Sequence, residues 1–386
     1  MVYGKEYDPI SEKGIGMIRN NNTRDIILKI KGLLSEGKMS PEAFPANDLV
    51  DAVRFELSTY SSCFTDEQRT ELLNGFENFC SNMMPPFRDV VSCEIFLDVM
   101  LITLSAISDA VLSLANKEYW LFKHPQAKSD PEIMEIIDFI DEKGDIRLLN
   151  YSFVDDYYNM PFEIENDVSC GLKYVIYKGK RMYFPRGWTD LRIRDYYCSV
   201  VGEQDPYSPH CYDKEGFFVK DGSVLVDVGA AEGIFALDNI EKAKRIYLID
   251  ADRAWMEALE HTFSDYREKV EIIYGFVGDR SEGKDNIVLD DLLAGETINY
   301  IKMDIEGYEK AALNGSRRLV AYNQNLTCAI CSYHCKEDEA WIKDFFADNG
   351  CVTDHSRGFI CPDWSISSRL DAELRRGIVF AKKVRP

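Results

Sequence analysis

From residue 222 onward, short runs of aliphatic and aromatic residues alternate with stretches of helical pattern. Helices are expected between most of these runs, for example over 253–266 and 309–320, and over 337–348 after the fifth run. Such alternation predicts a doubly wound, mostly parallel α/β sheet. Two final β runs, around Val352 and over 377–381, are expected to form an antiparallel pair at the sheet edge. The five parallel strands are expected to begin at Val224, Arg245, Val270, Tyr300 and Thr327.

The first 150 residues have a helical pattern instead. A long helix is expected over 89–116, where polar residues recur at gaps of four and seven positions and form one narrow stripe on an apolar cylinder. Such a helix must be buried on most sides by other parts of the protein. Packing within a helical bundle of the same chain is favoured, and a homodimer through these helices is the alternative.

A third pattern separates the two. Residues 172–184 alternate around Lys178-Gly179, which predicts a β-hairpin that turns there, and a proline-containing connecting segment follows. The chain is therefore predicted to consist of a helical N-terminal domain over 1–150, a hairpin and connecting segment over 151–221, and the sheet domain over 222–386.

Charge and cysteine content limit the partners and the compartment. The chain has 45 Lys and Arg against 66 Asp and Glu, a net charge of −21, so neither nucleic acid nor a membrane surface is an expected partner. The longest apolar run, 99–108, is too short for a bilayer, which needs about 20 residues, and no signal peptide is visible. Eleven scattered cysteines indicate a reduced, cytoplasmic protein. The close set Cys328, Cys331 and Cys335 is expected to be buried thiols, with zinc as the alternative.

A glycine loop follows the first strand directly, in the sequence Val226-Asp-Val-Gly-Ala-Ala-Glu-Gly-Ile234. Its glycines permit close approach of the backbone to a ligand at the carboxyl end of the strand, where open α/β sheets bind ligands. The spacing is not the Gly-x-Gly-x-x-Gly of dinucleotide sites, and the acidic neighbours oppose a pyrophosphate. Carboxylates suit a ligand with ammonium and sulfonium charge, such as S-adenosylmethionine; a tight turn without ligand is the alternative. The residues expected to bind it are Asp227, Gly229, Ala230, Glu232 and Gly233.

The ends of the second and third strands supply further candidate ligand contacts. Asp250 lies 21 positions after the first glycine of the loop, where an acidic residue accepts hydrogen bonds from ribose hydroxyls. Asp252 is expected to cap the next helix. Phe276 and Val277 are expected to pack against the adenine ring. Asp279 is expected to accept from the exocyclic amine, with a turn-forming role as the alternative.

The candidate catalytic residues follow the fourth and fifth strands. Asp304 and Glu306 lie where a strand becomes a helix, and His334 follows the next strand at the same edge. We predict His334 as the general base, acting beside Asp304. Glu306 and His210 are predicted to contact the second substrate, which would accept the transferred group, and a structural role is the alternative for His210. No metal is predicted, although a divalent cation on Asp304, Glu306 and His334 is left open.

Three of these elements together resemble the FkbM-type family of S-adenosylmethionine-dependent methyltransferases. They are Asp-Val-Gly-Ala-x-x-Gly over 227–233, the acidic end of the second strand, and Lys-Met-Asp-Ile-Glu-Gly-Tyr-Glu with Leu-Asn-Gly inside 301–315. The resemblance covers residues 200–385 and implies a class I methyltransferase (Rossmann-like) fold and methyl transfer to oxygen on sugars or natural products. Two positions depart from the family's pattern: Ala231 stands where Asn is common, and Asp250-Ala where Glu-Pro is usual.

The sequence thus predicts methylation of a hydroxyl on a small molecule or glycan. Methyl transfer is an in-line displacement at the sulfonium carbon, so positioning dominates and a base removes the hydroxyl proton. The alternative is a Rossmann-like binding or scaffold protein with a vestigial site. An NAD-linked oxidoreductase is disfavoured because the middle glycine of its fingerprint is missing.

Overall fold

The computed structural model describes residues 124–143, 146–362 and 373–383, together with isolated positions and short stretches between 27 and 121. In that earlier part every described residue except Ser40 is helical. The expected helix over 89–116 lies largely outside the described residues, although 93 and 95–104 are helical. Its polar stripe and its cover stay predictions. Within the described residues, no helix combines the length and the apolar character needed to span a membrane.

The chain divides into two compact units. One comprises Met1–Ser129, Ile140–Arg147 and Asp363–Glu373, and the other comprises Asp130–Phe139, Leu148–Pro362 and Leu374–Pro386. Every residue predicted to act in the site belongs to the second unit. The predicted domain boundaries at residues 150 and 221 stay predictions.

A 3₁₀ turn at Pro125–Lys128, in the first unit, precedes the α-helices named below; the first of these ends in that unit, and the others belong to the second. A second 3₁₀ turn, Ser264–Tyr266, follows the fifth helix. The α-helices are α1 (Pro131–Lys143), α2 (Phe153–Tyr158), α3 (Asp190–Glu203), α4 (Ile234–Asn239), α5 (Arg253–Thr262), α6 (Leu289–Leu292), α7 (Glu309–Asn314), α8 (Arg317–Tyr322) and α9 (Asp338–Asp348).

Two small sheets accompany the large one. The antiparallel sheet contains β1 (Glu165–Asp167), β2 (Leu172–Tyr177) and β3 (Lys180–Tyr183). The predicted turn between β2 and β3 is confirmed: Lys178 and Gly179 have φ values of 47° and 80°, as a two-residue hairpin turn requires. The strands outside this sheet are β4 (Val224–Val228), β5 (Arg245–Asp250), β6 (Val270–Tyr274), β7 (Phe276–Val277), β8 (Asn286–Ile287), β9 (Tyr300–Met303), β10 (Thr327–Cys331), β11 (Cys351–His355) and β12 (Ile378–Lys383).

The large sheet has the order β11-β12-β10-β9-β4-β5-β6, and β7 pairs with β8 separately. Strands β4, β5, β6, β9 and β10 pair in parallel, as the alternation predicts. Strand β12 is antiparallel to both β10 and β11, so the predicted antiparallel pair is confirmed, with β12 one position inside the edge. The predicted doubly wound class I methyltransferase architecture is confirmed by this order.

Both faces of the large sheet are buried, which explains the nearly continuous apolar runs. Along β4, Leu225 faces one hydrophobic cluster, whereas Val226 faces the other. The same alternation separates two of the clustered cysteines: Cys331 lies in the first cluster and Cys328 in the second. Two thiols on opposite faces cannot share one ion, so the three cysteines do not form a zinc site, and buried free thiols are confirmed for this pair. The prediction is wrong for Cys335, whose thiol is free but exposed, because it lies beyond the end of β10.

Two expected helices differ from the observed ones. The first ends at Thr262 and continues as a 3₁₀ turn, whereas the helix expected over 309–320 is interrupted between α7 and α8. The interruption lies at Gly315, where a Cβ atom would come within 2.1 Å of the Gly278 carbonyl oxygen. Gly315 is the C-cap of α7, and only a residue without a Cβ fits this approach.

Candidate active site

The glycine loop, residues 229–233, has an unusual concentration of left-handed backbone. Gly229, Ala231 and Gly233 have φ values of 75°, 45° and 80°. A Cβ atom at Gly229 would lie 1.7 Å from the carbonyl oxygen of Asp304, and one at Gly233 would lie 2.7 Å from the Phe263 ring. The groups that lie against these two glycines therefore belong to the protein itself, at the end of β9 and just after α5. These contacts determine the conformation of the loop.

Asp250 fastens the loop to the end of β5. Its Oδ2 accepts a hydrogen bond from the Ala231 amide and its Oδ1 one from the Asp252 amide, both 2.7 Å long. The residue is 8% exposed, and burial raises the pKa of its carboxyl. Each oxygen keeps a second lone pair, so the predicted contact with ribose hydroxyls stays a prediction beside this observed structural role. The predicted cap is confirmed, because the Asp252 side chain accepts from the Ala254 amide at 2.9 Å.

A buried ion pair lies beneath the loop. Lys302, in the middle of β9, places its Nζ 3.1 Å from the Asp227 carboxylate and donates to the Gly229 carbonyl oxygen at 2.5 Å. Burial alone would lower the pKa of Lys302, but the carboxylates of Asp227 and Asp304 raise it, so the ammonium is kept. Burial raises the pKa of Asp227 against the effect of Lys302. Lys302 thus links β9, which leads to Asp304, to the end of β4 and the glycine loop that follows it.

Glu232, the acidic residue inside the loop, has a partner that sequence analysis missed. The Tyr196 hydroxyl, from α3, donates to Glu232 Oε2 at 2.6 Å. Glu232 is 5% exposed, and burial raises the pKa of its carboxyl to about 7. The helix before the sheet therefore closes over the loop from a segment for which no site residue had been predicted.

Asp304 is the centre of a second group, which we call the Asp304 cluster: Asp304, His210, His334 and Glu309. The Tyr212 hydroxyl donates to Asp304 Oδ2 at 2.7 Å. The Nε2 atoms of His210 and His334 lie 3.4 and 3.5 Å from the two Asp304 oxygens. Burial alone would raise the pKa of Asp304, but His210, Lys302 and His334 hold it well below its usual range.

Carboxylates surround the predicted base. His334 Nδ1 lies 3.1 Å from Glu309 Oε1, and its Nε2 lies 3.7 Å from Glu306 Oε2. Glu309 is 1% exposed, and its Oε1 also accepts from the Ile305 amide at 2.9 Å. Burial alone would lower the pKa of His334, but Glu309 and Asp304 raise it. Asp304, Glu306 and His334, predicted to share one edge, are thus brought together.

The two predicted acceptor contacts differ in access. The Glu306 side chain is 71% exposed and stands at a φ of 56°, on the surface beside His334. His210 is 4% exposed, with Nδ1 3.6 Å from a Glu203 oxygen and Nε2 3.3 Å from the Tyr333 hydroxyl. Burial alone would lower the pKa of His210, but Asp304 and Glu203 raise it. Contact with an acceptor stays a prediction for both.

The three residues predicted to contact the adenine, after the third strand, are less closely grouped than those of the Asp304 cluster. Phe276 is 45% exposed and Val277 is buried, in the short β7 strand beside the end of β6. Asp279 is exposed, and its Oδ1 lies 3.8 Å from Arg280 Nε. Its Cα packs against Gly315, where an added Cβ would lie only 3.3 Å away. Its described contacts are therefore with a surface arginine and the end of α7, and its role at the adenine amine stays a prediction.

Several residues of the site were not predicted. Lys302 and Glu309 are within the motif region, and a lysine inside a buried strand is itself a signal, since such a charge needs a partner. The other missed residues come from earlier segments and meet the site only through tertiary contacts: Tyr196, Glu203 and Tyr212.

Residues 278–339 match the sequence model of the family described as the methyltransferase FkbM domain. The predicted resemblance to this methyltransferase family is confirmed for that segment. It contains Asp304, Glu306, Glu309 and His334, and it begins after the glycine loop.

Solved structures resemble parts of the chain. A methyltransferase FkbM from Methylobacillus flagellatus KT is 20% identical over 50% of this chain and 55% of its own, with a TM-score of 0.36. The chain thus matches about half the length of that protein. A precorrin-6y C5,15-methyltransferase from Geobacter metallireducens is 13% identical over 44% of this chain and 83% of its own (TM-score 0.31). Trm5b from Pyrococcus abyssi is 13% identical over 57% and 61% (TM-score 0.30). No curated protein matches the sequence.

Proposed function

We propose that this protein is an S-adenosylmethionine-dependent O-methyltransferase that acts on a hydroxyl of a sugar or natural product. The observation that carries the proposal is the glycine loop at the carboxyl end of β4, fastened to Asp250 and followed across the sheet by the Asp304 cluster. The matched methyltransferase segment supplies the second of these two parts.

The charge around the loop supports this methyl donor. Buried carboxylates outnumber buried cations there, with Asp227, Glu232 and Asp250 against Lys302. A low-dielectric site lined by carboxylates favours a ligand with ammonium and sulfonium groups, which would hold the carboxyls in their ionised form, and opposes the pyrophosphate of a dinucleotide. We therefore infer that Asp227, Gly229, Ala230, Glu232, Gly233 and Asp250 contact the donor, with Phe276, Val277 and Asp279 toward its adenine.

His334 is proposed as the base of the metal-free protein. Glu309 Oε1 stands 3.1 Å from Nδ1, while Nε2 lies on the side of Asp304 and the exposed Glu306. An acceptor hydroxyl beside Glu306 would give its proton to Nε2 as its oxygen attacks the methyl carbon and the sulfonium leaves as a neutral thioether. His210, enclosed by Glu203 and Asp304, is better placed to hold Asp304 than to touch the acceptor.

The acceptor is proposed to be a small molecule or a glycan. A net charge of −21 disfavours both nucleic acid and an anionic lipid surface as partners. A cytoplasmic location and a homodimer through the N-terminal helices belong to the same proposal, and they rest on the sequence patterns given above.

Calorimetric titration with S-adenosylhomocysteine tests the donor site. We expect saturable micromolar binding, reduced at least tenfold (about 1.4 kcal/mol) in Asp250→Asn. Asn retains one oxygen to accept from a backbone amide, and Asp252→Asn serves as the matched control at the helix cap. Absence of heat and of thermal stabilisation by the ligand in the unmodified protein would overturn the proposal in favour of a scaffold with a vestigial site. Binding of NADH instead would indicate an oxidoreductase.

A further inference from the structure

We propose that Asp304, Glu309 and His334 form a binding site for a divalent transition-metal ion such as Mn²⁺. The site goes beyond the proposed methyl transfer and does not depend on it. It is inferred from the arrangement of donor atoms and from the buried atoms that this arrangement leaves without partners.

The donor atoms are close enough for one ion. One carboxylate oxygen from each of Asp304 and Glu309 and one ring nitrogen of His334 lie within 4.8 Å of one another. Two ligand atoms on one ion, with bonds of about 2.1 Å, are at most about 4.2 Å apart. A common centre therefore needs side-chain rotation, above all of the His334 ring, because Asp304 lies nearest its Nε2 and Glu309 nearest its Nδ1.

Buried polar atoms at this place have no hydrogen-bond partner. Glu309 Oε2 is buried without one, and so are both ring nitrogens of His334. His334 Nδ1 lies 3.1 Å from Glu309 Oε1, but the two are not aligned for a hydrogen bond. Buried carboxylate and imidazole groups are normally satisfied. A bound cation would take one oxygen from each carboxylate and one of the two His334 nitrogens, and the other nitrogen would carry the ring proton.

The donor chemistry indicates the class of ion. Two carboxylates favour hard divalent cations, whereas an imidazole favours transition metals, so the mixed set suits Mn²⁺, Fe²⁺ or Zn²⁺ better than Ca²⁺. The nearby buried cation, Lys302, forms its ion pair with Asp227, at 3.1 Å. Glu309 has no lysine or arginine among its described contacts, so its negative charge is available to an ion. The 71% exposed Glu306 offers another oxygen on the solvent side and a route of entry.

A second trio, His210, Asp304 and Cys331, is a weaker candidate. His210 Nε2 already approaches the Tyr333 hydroxyl at 3.3 Å, and the Cys331 thiol lies 3.7 Å from the Tyr212 hydroxyl. Those donor atoms have partners within the protein, whereas Glu309 Oε2 has none.

Binding of an ion changes the role proposed for His334. An imidazole nitrogen that ligates a metal does not accept a proton, so the ion and a base at the same nitrogen exclude each other. Metal binding and donor binding are therefore measured separately on the same samples.

The experiment is titration of the full-length protein with MnCl₂ after treatment with EDTA and dialysis, with free Mn²⁺ followed by electron paramagnetic resonance. We expect one saturable site per chain, weakened at least about tenfold in Glu309→Gln and in His334→Asn, since even residues behind metal ligands change affinity by that factor. Gln at 309 retains an oxygen that accepts from the Ile305 amide. Glu271→Gln, which changes an exposed glutamate on β6, is the matched control and should bind as the unmodified protein does.

Absence of saturable binding, or equal binding by the two site variants and the control, overturns the metal site. Circular dichroism and thermal unfolding of each variant exclude loss of fold as the cause. Titration with S-adenosylhomocysteine on the metal-free and Mn²⁺-loaded samples separates the two proposals. Donor binding without Mn²⁺ binding overturns only the metal site, and Mn²⁺ binding without donor binding overturns only the methyltransferase.

Discussion

Asp250, which holds the glycine loop, is satisfied by backbone amides, whereas in the Asp304 cluster side chains face mainly one another. Both Asp250 oxygens accept from backbone amides, and the path of the loop is set by contacts with β9 and α5. In the cluster, by contrast, Glu309 Oε2, His210 Nδ1 and both His334 nitrogens lack hydrogen-bond partners. The Asp250 side of the loop is thus completed by the protein itself. Both Asp227 oxygens before the loop lack hydrogen-bond partners, although Lys302 lies 3.1 Å away, so Asp227 is held by an ion pair alone. The variants below test this contrast.

Loss of the cation that joins the two regions should have the largest effect. Lys302→Met leaves the Asp227 carboxylate buried without its ion-pair partner, at a cost of about 3–5 kcal/mol in the free energy of unfolding. The double variant Lys302→Met/Asp227→Asn should regain part of this loss because the uncompensated charge is gone. Urea unfolding measures both. Equal stability of the single and double variants would mean that the pair is not energetically coupled.

A methyl group at the close approach of the loop should have the next largest effect. Gly229→Ala combines a left-handed backbone with overlap onto the Asp304 carbonyl, and we expect it to lose about 2–4 kcal/mol. Gly222→Ala is the control: its φ of 76° nearly equals the 75° of Gly229, but nothing lies within 4 Å of its added Cβ. It should lose only about 1 kcal/mol. If both lose the same amount, the loop does not depend on the approach to β9.

Glu232 should make stability fall as the pH rises. Its pKa is raised to about 7 by burial, so the folded state keeps a proton that the unfolded state has released above the ordinary pKa of 4.5. Stability is therefore lost between about pH 5 and 7, by about 2 kcal/mol relative to Glu232→Gln, which has no such proton.

Chemical denaturation from pH 5 to 8, with Glu271→Gln as the exposed control, measures this difference. Parallel pH profiles for the unmodified protein and Glu232→Gln would show that the Glu232 carboxyl is not perturbed by folding.

The smallest effect is expected from the strained alanine of the loop. Ala231 has a φ of 45°, a left-handed conformation that is strained for a residue with a Cβ. Ala231→Gly removes this strain but increases the conformational entropy of the unfolded chain. We expect a net stabilisation of about 0.5 kcal/mol. The exposed Ala294, outside the positive-φ positions, should instead lose stability as Ala294→Gly. Thermal unfolding distinguishes the signs. A loss at both positions would mean that the Asp250 bond to Ala231 removes the strain.

The fold and the site differed in how far the sequence could predict them. Strands buried on both faces leave a continuous apolar signal, and Lys178-Gly179 and Asp252 act through local chemistry, so these features were predictable. Asp304, Glu306 and His334 were predicted together because carboxyl ends of parallel strands meet at one edge. The break at Gly315 was missed, although a glycine after Asn314 is itself a helix-stop signal.

Partners within the site were harder to predict than the site itself. Tyr196 meets Glu232 across 36 positions and Tyr212 meets Asp304 across 92, and no local pattern signals either bond. Asp279 was expected at the ligand and lies beside Arg280 and Gly315, since β7 and β8 direct the chain after the third strand.

Strand β12 has a consequence for folding during synthesis. It is the last described strand to leave the ribosome, yet it pairs on one side with β10 and on the other with β11. Until residues 378–383 emerge, both neighbours present open edges with unpaired amides and carbonyls, which is the usual starting point of aggregation. In a nascent chain, the last described strand therefore inserts between two strands that are already present. The chain is most prone to misassembly just before this insertion.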